Sequence, residues 1–138
     1  MTHAEKALEY FSTVRNCTQS VALSFAEDTE ADEKTLCAIA GGLGGGCSCG
    51  EICGALTGAI MALGLYHPFT PETGMEAKQN LKRLSNIAID AFHNEFGCIH
   101  CRDLLEQAGG HGRCPEFVAF AAKTVDKINS EEEKNANL

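Results

Sequence analysis

The sequence predicts an all-α protein, a compact bundle of six to seven helices around a central helix that carries a Gly-rich motif. Three observations predict it. Apolar residues recur at spacings of three and four along nearly the whole chain. No segment alternates apolar and polar residues with the period of two that a half-buried strand needs. Residues that favour helix starts precede the periodic stretches, and Gly or Pro follows them.

Thr2 with Glu5 has the form of a capping box for a first helix carrying Ala7, Leu8 and Phe11. Asn16 with Gln19 is placed to cap a second, in which Val14, Cys17, Val21 and Phe25 share one face. Thr29 with Asp32 suggests a third start, leading to Leu36, Cys37 and Ala40. Gly41 to Gly50 contains six glycines in ten residues, which no helix interior tolerates cheaply, so it reads as a loop. The central apolar helix follows, roughly Glu51 to Leu65, closed by Pro68. Thr70-Pro71-Glu72 has the order of a helix start with Pro first. A long amphipathic helix then buries Leu81, Leu84, Ala88, Phe92 and Phe96, turns Lys78, Lys82, Asp90 and His93 outward, and ends at Gly97. A short helix from His100 to Ala108 precedes a Gly-rich break. Cys114-Pro115-Glu116 opens the last helix, with Cys114 at its N-cap. Residues 1–129 read as one helical domain and 130–138 as a polar, fraying tail.

At 138 residues one domain with a real core is expected. The net charge of −8 repels phosphate backbones, and the lack of Trp removes a common base-stacking surface, so nucleic acid is an unsuitable partner. The longest uncharged apolar run, Ile52 to Tyr66, falls short of the roughly 20 residues that span a bilayer, so no membrane span is expected. The N-terminus has no basic end followed by an apolar run, so a cytoplasmic location is expected. In a reducing compartment, clustered cysteines serve metal or redox chemistry more often than structural disulfides.

The chain has eight cysteines. Four of them, Cys17, Cys53, Cys101 and Cys114, fall where predicted helices begin, on four different segments. Helix N-termini carry unpaired N–H donors and the positive end of the dipole, both of which favour thiolate. Arg102 and Arg113 push the same way. A single cysteine so placed is ordinarily a small buried hydrophobe; four point to a shared site for a metal, an iron–sulfur cluster or two disulfides. Cys47, Cys49, Cys98 and His100 stand in reserve as ligands. None of the spacings fits a zinc finger, a ferredoxin run or a haem attachment site. The glycine loop is not a phosphate loop; it either forms a nest of N–H groups or lets Cys47 and Cys49 reach the core. Gly50, Gly54, Gly58 and Ala62 make a smooth ridge for close helix packing, within the monomer or across a homodimer. Glu51 reads as a dipole partner, and no residues form a recognisable catalytic set.

Cys53-Gly54-Ala55-Leu56-Thr57-Gly58 resembles the CGAxxG signature of the C_GCAxxG_C_C family of redox-active proteins, with one cysteine upstream and two downstream. Cys17, Cys53, Cys101 and Cys114 match in order, and the resemblance runs from about Asn16 to Val125. A related module occurs in split-Soret cytochromes, where it is associated with an iron–sulfur centre. The resemblance implies a redox role with these four cysteines as ligands of a [2Fe–2S] or [4Fe–4S] cluster, and a redox partner protein. A metal-free thiol–disulfide protein and a structural zinc module stay open beside it, and no enzymatic reaction is assigned.

Overall fold

A computed structural model describes residues 1–137. It is all-α, with no strand among the described residues. The helices are α1 (His3–Phe11), α2 (Cys17–Leu23), α3 (Ala26–Thr29), α4 (Glu33–Ala40), α5 (Gly54–Tyr66), α6 (Gly74–Phe96), α7 (Cys101–Ala108) and α8 (Cys114–Ala136). The extra helix beyond the expected count is α3. The face expected to run unbroken to Phe25 breaks at Ser24, whose hydroxyl donates to the Val21 carbonyl at 2.6 Å. A single turn, α3, then ends at Glu30 in the left-handed region.

Both expected capping boxes form, at Thr2/Glu5 and Asn16/Gln19. Other starts shift. Asp32 alone caps α4, accepting from the Thr35 N–H at 2.9 Å, while Thr29 ends α3. Thr70 to Thr73 forms a turn, so α6 begins at Gly74 rather than beside Pro71. Val14 lies in the turn before α2 and is fully exposed. Cys114 is the first residue of α8, and Arg113 is the cap. Helix α8 continues to Ala136 through the segment that reads as a polar tail, and those last turns are mostly exposed.

Helix α5 packs against α2, α6 and α8. Its contact with α2 is unusually close. A β-carbon at Gly58 would stand 2.8 Å from the Thr18 carbonyl oxygen and 2.9 Å from Val21 Cβ. One at Gly54 would collide with Cys17 Sγ. The ridge of small residues therefore serves packing within the chain at these two positions. The buried Thr18 hydroxyl donates to the Gly54 carbonyl at 2.8 Å, which fixes the register of the two helices.

Two further devices hold the other helices. Phe92 and Phe96 of α6 meet Phe117 and Phe120 of α8, with the Phe96 and Phe117 rings edge to face at 4.8 Å between centroids. Such pairs add roughly 0.5–1.5 kcal/mol each beyond the area they bury. His3 of α1 stacks on Phe25 and bonds Asp28 at 2.6 Å and Asp126 at 2.7 Å. This ties the first helix to α3 and α8. Among the described residues no helix is long and apolar enough to cross a membrane.

The glycine segment is ordered. Gly41–Leu43 is a 3-10 turn, after which Gly45, Gly46, Cys47 and Ser48 all adopt left-handed backbone. For the two residues with a β-carbon this costs roughly 1–2 kcal/mol each.

Gly58 and Gly64 of α5 give a paired test. Gly58→Ala is expected to destabilise by about 1–3 kcal/mol through overpacking, despite Ala's better helix propensity. Gly64→Ala, where a β-carbon meets nothing within 4 Å, is expected to stabilise by roughly 0.5–1 kcal/mol. Urea midpoints of the two variants check this; the same sign for both would refute the close approach.

Candidate functional site

The four cysteines each sit at a helix N-terminus, and three local devices hold the four starts. Cys17 opens α2 behind Asn16, which accepts from the Gln19 N–H at 2.9 Å and donates through Nδ2 to the Gly41 carbonyl. The cap therefore also anchors the glycine segment. Gly44 packs so closely on Asn16 that a β-carbon there would stand 2.6 Å from its Cγ.

Cys53 and Cys101 are set by a single antiparallel bridge between Ile52 and His100. The Cys53 N–H donates to the Ile99 carbonyl at 2.7 Å, and the Cys101 N–H donates to Glu51 at 2.6 Å. This bridge is why α5 starts at Gly54, three residues later than the sequence pattern suggests: residues 51–53 are extended to make it. Cys53 becomes the N-cap and Cys101 the first residue of α7. Cys114 opens α8 after a tight turn in which its N–H bonds the His111 carbonyl at 3.0 Å. Phe117, one turn on, belongs to the aromatic cluster, and Arg113 lies over the Phe96 and Phe117 rings.

Cys17, Cys53, Cys101 and Cys114 line one cavity of about 170 Å³, walled by Phe11, Leu104, Leu105 and Phe117. Cys47, Cys49, Cys98 and His100 are not part of its lining. Cys47 and Cys49 are exposed; the loop does not carry them inward. Its backbone goes in instead: Gly45 lines the cavity, and Gly46 is buried so tightly that a β-carbon would stand 2.8 Å from Cys101 Cβ. The histidine at the site is His111, not His100. His111 lines the cavity with Nδ1 3.7 Å from Cys114 Sγ. His100 instead faces Glu51 at 3.9 Å. His111 stands in a Gly-Gly-His-Gly break that reads as a plain turn, three residues before Cys114, and that short separation was the one available sign.

The electrostatics reverse the expectation of ready thiolates. Burial pushes the Cys53 thiol up to about 12, against the Ala55 and Leu56 N–H groups that favour its thiolate; charge on Cys17 or Cys101 raises it further. Burial also raises Cys101 and Cys114, with repulsion from the neighbouring site cysteines second. The helix N-terminus does act on Cys53, but removal from water outweighs it.

The donor set suits a metal–sulfur group. Four thiols line one apolar-walled space together with Gly45, and backbone packs closely on Cys17 at Gly54. Among the described residues no three His, Cys, Asp or Glu side chains are grouped closely enough to hold one metal ion.

The fold and site define a class, an all-α protein with four cysteines gathered from four helix starts. Residues 15–128 match the family model described as "Putative redox-active protein (C_GCAxxG_C_C)", and the chain belongs to that family. No curated protein and no solved structure matched the chain.

A pH dependence follows from Cys53. In the metal-free, reduced chain, unfolding returns this thiol to its ordinary value of 9.0. As pH rises through that value, the unfolded state binds fewer protons than the folded one, so stability falls with pH up to about 12. Urea melts across this range are expected to show level stability below about pH 8 and a decline above it. Cys53→Ala should decline less steeply, and equal slopes would refute the burial argument.

Proposed function

We propose that this protein binds an iron–sulfur cluster through Cys17, Cys53, Cys101 and Cys114 and uses it for electron transfer or redox sensing. The observation that carries the reading is the convergence of four thiols, each from a separate helix N-terminus, on one apolar-walled cavity. When bound, such a cluster supplies one-electron redox chemistry at a potential tuned by hydrogen bonds and burial.

The chain's own contribution is threefold. The four sulfurs come from elements fixed independently by a cap, a bridge and an aromatic cluster, so the site is preorganised. The N–H groups of four helix starts favour an anionic guest. Phe11, Leu104 and Phe117 give the cavity apolar walls. The raised thiol values mean that binding must release protons, so loading is pH-dependent.

The rival readings have less support. Structural zinc needs four donors about 2.3 Å from a single point. Here the thiols line a space of about 170 Å³, where one water-sized sphere takes roughly 10–15 Å³. A metal-free dithiol mechanism at this site needs an attacking thiolate, which the burial of Cys53, Cys101 and Cys114 opposes.

Protein purified under strict anaerobiosis is expected to be brown and to contain iron and acid-labile sulfide. Colourless, iron-free protein after anaerobic reconstitution would refute the proposal. Ser at any of the four positions should lower iron content several-fold, whereas Cys37→Ser should leave it unchanged.

Gly54→Ala tests the geometry separately. It leaves all eight thiols in place but displaces Cys17, so iron retention should fall. Wild-type iron content in a folded Gly54→Ala chain would mean that the close approach is irrelevant to loading.

A further inference from the structure

Cys47 and Cys49 are the two exposed cysteines of the described chain, and neither lines the four-cysteine cavity. They flank Ser48 in the left-handed turn. With standard peptide dimensions, Ser48 at φ 61° and ψ 10° sets the two Cα atoms about 5 Å apart. That lies inside the roughly 4.4–6.8 Å window of disulfides; the same dihedrals leave the Cβ atoms about 5 Å apart, so closing the bridge draws them together by a small shift of the turn. Cys47 at ψ 38° and Cys49 at φ −140° then direct both Cα–Cβ bonds to the same side of the turn. Neither regular structure does this. A strand keeps residues i and i+2 on one face but about 6.6–6.8 Å apart, and a helix turns them away from each other.

The turn is held in this form from both ends. The Ser48 hydroxyl donates to the Gly42 carbonyl at 2.8 Å. Arg102 Nη2 donates to the Cys49 carbonyl at 3.1 Å, and the Glu51 N–H closes the turn onto Gly46 at 2.9 Å. The two thiols are thus exposed, adjacent and held on a backbone that shortens their separation.

We propose that Cys47 and Cys49 form a second redox site, a surface dithiol that is reversibly oxidised to an intramolecular disulfide by low-molecular-weight disulfides. The step is ordinary exchange. One thiolate attacks a sulfur of the small disulfide, breaking its S–S bond and expelling one thiolate. The second cysteine, deprotonated, attacks the mixed disulfide, forms the Cys47–Cys49 bond and expels the other thiolate. Two electrons pass from the protein dithiol to the small disulfide, whose halves leave as two thiols carrying the two protons. This site does not depend on what fills the four-cysteine cavity.

The test equilibrates the full chain, purified anaerobically, with glutathione buffers of graded ratio. It is then quenched with acid and alkylated, and the cysteines are mapped by fragmentation mass spectrometry. Iron and sulfide are measured on the same samples, so that failure of the cluster reading registers separately. The expected result is a loss of two hydrogens confined to Cys47 and Cys49, reversed by reduced glutathione, at ratios that leave Cys17, Cys53, Cys101 and Cys114 unoxidised. In Cys47→Ser and Cys49→Ser, whose circular dichroism should match the wild type because both sites are exposed, the bridge should vanish and the remaining cysteine should carry a stable glutathione adduct. A bridge from either residue to a different cysteine, glutathione on both residues of the wild type, or oxidation of Cys17, Cys53, Cys101 or Cys114 first would each overturn the proposal.

Discussion

The site rests on how closely α2 lies against α5. Cys17 occupies space that any side chain at Gly54 would take. One turn on, Gly58 admits the backbone of Thr18 to a distance that real β-carbons do not tolerate. The Thr18 hydroxyl then bonds the Gly54 carbonyl in the interior. Leaving that group unpaired would cost roughly 1–3 kcal/mol, so the bond makes the approach specific as well as close. The other three cysteines are placed relative to this pair. The Ile52–His100 bridge carries Cys101 to Cys53, and the phenylalanine cluster carries the start of α8 to both.

Close packing also sets the electrostatics. Burial that brings four thiols together removes the water that would solvate their thiolates. Helix starts offset this locally, as the two N–H bonds to Cys53 do, yet the thiol still rises to about 12. Burial therefore favours the neutral thiols at Cys53, Cys101 and Cys114. A guest that binds the sulfurs must displace their protons, and the helix-start N–H groups then stabilise the bound sulfur anions. This is the physical link between the packing and the proposed cluster.

The helical class, both capping boxes and the four cysteine-bearing helix starts were legible because each rests on a local signal: a period, a cap or a breaker. The features that were not legible are of another kind. The bridge between Ile52 and His100 joins residues far apart in sequence, with no alternation around them, and it delays α5 to Gly54. The one-turn α3 is hidden because Val21 and Phe25 keep the spacing of a continuous helix. His111 and His100 are indistinguishable as isolated histidines near cysteines; only the turn before α8 aims one of them at the cavity. The glycine run was readable as a break in the α-helices, but neither its opening 3-10 turn at Gly41–Leu43 nor its left-handed stretch was, since Cys47 and Ser48 adopt a conformation their side chains disfavour.

That left-handed turn separates the chain's thiols into two environments. Gly45 is exposed at the cavity's edge while Gly46 is buried beneath it, and the chain then returns outward to reach the bridge at Ile52. Gly45 to Ser48 take this path with positive φ. Cys47 and Cys49 fall at the outward crest of that path. Their exposure is a geometric consequence of Gly46 being buried against Cys101. The same constraint that seals one wall of the apolar cavity therefore presents two thiols to solvent on its outer side. Backbone that relaxed at Ser48 would release both features together, since Gly46 is held by the Glu51 N–H that closes the turn.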